Sequence, residues 1–181
     1  VFLVSLVFFN RMGLSNGTIT LLTSWFIIPF ILRPLLGRVV TGYATKRFWI
    51  LAMEFLMAAS MFGISKLITA SYWEIGSMLL FIIIACAAVI HDVAVVRFYK
   101  LSISRKSPGV SSVHSVFLLM AIVVGMGIPL TLAGNLEMLN RVVAKSWVST
   151  FYLLSVTFLL LFIYHFWVLP RPKDKPSIPV R

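Results

Sequence analysis

An imidazole and a carboxylate stand side by side in "AVIHDVAVVRFYK" (residues 88–100), at the end of an otherwise apolar stretch. These are His91 and Asp92, and Glu54, His165 and Arg33 share the same kind of setting. Such groups can exchange protons, form an ion pair that holds helices together, or gate a pathway. Which of these applies depends on the solvent around them. Sixty per cent of the residues are hydrophobic and the mean hydropathy is +1.02, well above the balance of a soluble domain. A carboxylate in lipid is costly, so it turns to the bundle interior or to an aqueous cavity. Glu54 follows Arg47 by seven residues and Asp92 precedes Arg97 by five. At the helical rise the two acids lie at similar depths, about 10 Å and about 7 Å from the same side. Acids at that depth are candidates for proton exchange near neutral pH, and Arg33 offers the countercharge.

The elements that must position these groups are transmembrane helices. No charged residue falls between Arg11 and Arg33, Glu74 and Asp92, Lys106 and Glu137, or Lys145 and Arg171. Each gap is long enough to cross a hydrocarbon core of ~30 Å, and isolated strands could not satisfy their backbone groups there. The expected fold is an all-α polytopic membrane helix bundle. Five full spans are expected at residues 17–36, 48–64, 75–96, 115–136 and 146–169. Residues 1–10 read as the end of a first helix. The bundle covers residues 1–169, and a basic, proline-punctuated linker covers 170–181, where "RPKDKPSIPVR" closes the chain.

Orientation follows from the basic residues. One side carries Arg11, Lys66, Arg141 and Lys145, and the other carries the remaining twelve, including Arg47, Arg105 and Lys106. The positive-inside rule places that second side, with the C-terminus, in the cytoplasm. The net charge of +11 is then explained by loops facing anionic lipid. No nucleic-acid partner is expected, because no basic stripe is interleaved with aromatics for base stacking.

Each polar group also has a plain structural reading. His165, beside Tyr164, is expected to snorkel to the interface. His91 could bond a neighbouring helix, and Asp92 could pair with Arg33 or Arg97 without serving a mechanism. The lone Cys86 reads as a small packing residue. In "VVGMGIPLTLAGNL" (residues 123–136), Gly125, Gly127, Pro129 and Gly134 predict close backbone approach and a kink, or ordinary transmembrane packing.

The stretches "IPFILRP" (28–34), "TKRFWIL" (45–51), "HDVAVVRFYKLS" (91–102) and "FWVLPRP" (166–172) resemble the AmpG-like branch of the major facilitator superfamily. The resemblance covers nearly the whole chain, and "HDVA" followed by "FYKL" is its most specific part. It implies the N-terminal six-helix half of a twelve-helix permease, whose C-terminal six-helix bundle would be missing from this chain. It further implies proton-linked transport of a muropeptide-like or other bulky solute across a bacterial cytoplasmic (inner) membrane. Asp92 would be the proton-linked or gating carboxylate, with His91 as partner, Glu54 as second acid and Arg33 as countercharge. Thr41 and Val96 stand where the family carries acids, Arg97 replaces a glycine, and His114 takes the place of a basic residue. Conformational switching and proton coupling are the functions these departures touch.

No metal or cofactor is expected. A membrane enzyme is not expected either, since Ser102, Ser104 and Ser107 lie in a basic loop without a partnered base. The alternative to a transporter is a degenerate, non-transporting membrane protein that keeps the half-bundle fold.

Overall fold

The structure, a computed structural model, describes residues 2–102 and 109–171. Among these residues all regular structure is helical: α1 (Phe2–Arg11), α2 (Asn16–Ser24), a 3₁₀ turn (Trp25–Ile27), α3 (Ile28–Ile31), α4 (Arg33–Gly42), α5 (Lys46–Leu67), α6 (Trp73–Ser102), α7 (Gly109–Asn140) and α8 (Val143–Val168). Helices α5 to α8 contain stretches long and apolar enough to cross a membrane, and α2–α4 make a fifth if counted as one bent span. The chain is an integral membrane protein built from α-helices.

The second span, expected at 17–36, is not one continuous helix. It breaks into α2, the 3₁₀ turn, α3 and α4, with a bend of 50°. Pro29 and Pro34 supply the cause. Each lacks an N–H, and each ring crowds the carbonyl four residues earlier, on Trp25 and Phe30. Arg33, expected at the end of this helix, instead begins α4, which runs on to Gly42. Thr45 then restarts the chain, its hydroxyl accepting from the Phe48 N–H at 3.3 Å, so that α5 opens on a capped turn.

Two other helices outrun their expected limits. α6 continues to Ser102, so Arg97 and Lys100 ride on the helix. At about 45 Å for its 30 residues, α6 is longer than a hydrocarbon core is thick. α7 runs unbroken through Pro129 as far as Asn140. α8 stops at Val168, as the Leu169–Pro170 step favours an extended residue before proline. Arg105, Lys106, Ser104, Ser107 and most of the 170–181 linker lie outside the described residues.

α5 sits centrally, packed on α6 and α8, while α7 rests on α8 and α1, and α4 lies along α6. The main core is aromatic. Phe8 is fully buried and meets Phe9, Phe81, Trp147 and Phe151 at ring distances of 5.2, 5.9, 5.3 and 5.2 Å. A smaller core of Val40, Ile50, Val93, Ala94 and Phe98 joins α4, α5 and α6. In lipid such contacts act through close packing, because the tails are as apolar as the side chains.

The glycines of α7 do not bring helices together. A Cβ placed on Gly125, Gly127 or Gly134 would meet nothing within 4 Å. Gly125 and Pro129 instead line an apolar cavity of about 590 Å³ that also touches Phe81, Phe151 and Phe158. Close approach occurs elsewhere, at Gly37, where a Cβ would lie 3.0 Å from the Arg97 guanidinium. That glycine lets the second arm of the bent span lie under Arg97.

Candidate functional site

Glu54, Asp92 and Glu137 are each met by partners from other helices. Glu54 on α5 is 3% exposed, and its Oε1 faces two imidazoles: His91 Nε2 on α6 at 3.2 Å and His165 Nδ1 on α8 at 2.6 Å. Three membrane-spanning helices thus meet at one oxygen. Its other oxygen, Oε2, is buried without a hydrogen-bond partner. The two imidazoles are 26% and 30% exposed, so the buried acid is reached through side chains that keep some access of their own.

Asp92, the next residue on α6, points elsewhere and pairs with Arg33 at the start of α4. Adjacent helical residues diverge by about 100°, which sends His91 toward α5 and Asp92 toward α4. Both members of the Asp92–Arg33 pair are half-exposed. Arg33 opens the second arm of the bent span, directly after the 50° break, and from there it meets Asp92.

Two further cation contacts surround the cluster. Arg97 donates to the Thr41 hydroxyl at 2.6 Å, over Gly37. Thr41 itself donates to the carbonyls of Gly37 and Arg38 at 2.8 and 3.1 Å. Positions 41 and 97 are therefore in contact: a neutral hydroxyl meets the arginine. Arg47 donates to the Phe166 carbonyl at 2.6 Å and lies 5.6 Å from the centre of that ring. This ties the end of α8 to the start of α5. Midway along, the Ser155 hydroxyl donates to the Ala58 carbonyl at 2.8 Å and holds the same two helices.

His165 corrects the expectation of a snorkelling side chain. Its ring lies 5.4 Å from that of Tyr164, but its Nδ1 is bonded to Glu54. The signal was present in the numbering. His165 precedes Arg171 by six residues, as Glu54 follows Arg47 by seven, so counting from the basic flanks places both at one depth. The second group missed is Glu137 on α7. It pairs with Arg11 of α1 and accepts the Trp147 indole N–H at 3.0 Å, joining α1, α7 and α8 at the opposite end of the bundle. Treating Glu137 as the boundary of a span concealed it. His114 lies on α7 with its side chain outside the described set. Val96 is part-buried on α6.

Among the described residues no group of three or more histidine, cysteine, aspartate or glutamate side chains is arranged to hold a metal ion. The arrangement can hold a proton, since carboxylate and imidazole both take one up and release it. Compared with known proteins, the chain matches no family model, no curated protein and no solved structure.

Proposed function

We propose that the chain is one bundle of a proton-linked secondary transporter of the AmpG-like kind, in which Glu54, His91 and His165 form the proton-exchanging centre and Arg33–Asp92 is a gating pair. The observation that carries this reading is the buried carboxylate met by two imidazoles from two other spanning helices. A carboxylate so placed is expensive unless it is used or fully paired, and Glu54 keeps one oxygen unpaired. Asp92 and Arg33 stand on separate helices and are only partly covered by the rest of the bundle, which is the placement a gating pair needs. The solute would be a muropeptide-like or similarly bulky molecule, and the membrane a bacterial inner membrane.

The test is uptake. The intact reading frame in proteoliposomes should accumulate a peptidoglycan-derived disaccharide peptide under an acid-outside pH gradient, and a protonophore should abolish the accumulation. Signal no higher than in empty liposomes under both conditions would favour the second reading, a non-transporting scaffold. One observation supports that alternative: Arg97 is bonded to a neutral Thr41 within the bundle.

The same reading puts the basic face and the C-terminus in the cytoplasm. In intact cells Thr45→Cys should resist a membrane-impermeant maleimide added from outside, whereas Ser71→Cys should react. Labelling of the first and protection of the second would invert the topology.

A further inference from the structure

We propose that Glu54, His91 and His165 hold one exchangeable proton among them and pass it from one imidazole to the other through a single carboxylate oxygen. The proposal refines the proton-linked reading above, on which it rests for its use in transport, by naming the carrier and its path. Geometry supplies the first argument. His91 Nε2 and His165 Nδ1 both address Glu54 Oε1, from α6 and α8. A proton can therefore cross from one helix to the other without rotation of the carboxyl group. Oε2 is buried and unpartnered, so a proton resting there would have no acceptor.

Charge supplies the second. Two neutral imidazoles and a carboxylate total one negative charge, and two imidazoliums with the same carboxylate total one positive charge. Only the state with one added proton is neutral, and a site whose acid is 3% exposed favours neutrality. Oε1 lies 2.6 Å from His165 Nδ1 and 3.2 Å from His91 Nε2, so either ring can be the one that donates to it.

The step balances without a redox partner. The Nδ1–H bond of His165 breaks as an Oε1–H bond forms on Glu54. That bond then breaks as an Nε2–H bond forms on His91, which requires His91 to begin as the Nδ1–H tautomer. The carboxylate is regenerated, and one proton has moved from α8 to α6. The neighbouring charges are engaged elsewhere: Arg47 of α5 with the Phe166 carbonyl, and Arg33 of α4 with Asp92. Tyr164 of α8 packs its ring beside His165.

The experiment uses the whole chain in lipid nanodiscs, with ring-¹⁵N histidine, followed by NMR between about pH 5 and 8. Three histidines occur, and the His114 signal is identified with His114→Gln. In the wild type, the His91 and His165 signals should move together along one coupled curve. Glu54→Gln should split that curve into two independent ones. Should that variant fail to fold, His91→Gln decides, because it leaves the Glu54–His165 bond intact and should still displace the titration of His165. Independent titration in the wild type, or a His165 curve unchanged in His91→Gln, would overturn the proposal. Uptake plays no part in the readout, so the transporter reading can fail while this result stands.

Discussion

If the chain acts as the proposed proton-linked transporter, Glu54→Gln should abolish pH-gradient-driven accumulation and leave solute exchange across the membrane in place. The amide keeps the size of the side chain and an oxygen at the position of Oε1, so the three helices that meet there retain a hydrogen-bond acceptor. What is lost is the carboxylate that the proposed mechanism uses to take up and release the proton. If the solute path is intact, counterflow of labelled against unlabelled solute continues, since exchange needs no net proton movement. Gradient-driven uptake equal to the wild type would remove Glu54 from coupling. Loss of both counterflow and membrane insertion would point to a structural role only.

Asp92→Asn provides the contrast. The charge of Asp92 is met by a permanent cation, Arg33, whereas Glu54 is met by two imidazoles, which are charged only when protonated. Asp92→Asn keeps the size of the side chain and removes only its charge from the contact with Arg33. The effect should fall on the turnover rate, with dependence on the gradient preserved.

Much of this arrangement is written in the spacing of charges, and particular residues show where that legibility ends. The long apolar gaps mark the spanning helices, and the depth of Glu54 and Asp92 follows from counting back to Arg47 and Arg97. Their partners do not follow, because the rotation of one helix against another is set by packing, which no single span reports. His91 and Asp92 had to diverge by helical geometry, yet only the placement of α4 and α5 determines which partner each one finds. The bend of the second span was within reach, since Pro29 and Pro34 flank Arg33 in the quoted "IPFILRP". Reading the basic residue as the end of a helix hid it. The α7 glycines show the opposite error: small residues permit close approach but do not compel it, and here no neighbouring side chain meets them, while Gly125 lines a cavity. Glu137 and Trp147 are ten residues apart on two helices joined by a tight connection. Their contact depends on the 32-residue length of α7, which carries Glu137 three residues inside its end.

Trp147→Ala should be the most destabilising single change in the bundle. The indole is 1% exposed and its ring lies 5.3 Å from Phe8 and 5.7 Å from Phe151, at the point where α1, α6 and α8 converge through Phe8, Phe81 and Phe151. Truncation would open a void beside an existing cavity of about 450 Å³, lined by Arg11, Glu137 and Trp147 itself. In lipid the lost dispersion contacts are not compensated by a change in hydration, so the packing part of the penalty persists. Large aromatic truncations of this kind cost roughly 3–5 kcal/mol. A second, separable loss is the N–H donor to Glu137, which leaves a carboxylate held by Arg11 alone. Trp147→Phe isolates that term, because it keeps most of the ring volume and should cost only about 1–2 kcal/mol. Reversible unfolding in mixed micelles with rising SDS fraction, followed by circular dichroism, would measure both variants. Equal losses in the two would place the stabilisation in the hydrogen bond and deny the aromatic centre its role. The expected order, with alanine far below phenylalanine, would fix the centre of the fold on the ring of Trp147 and leave the Glu137 bond to set how α1 and α7 meet it.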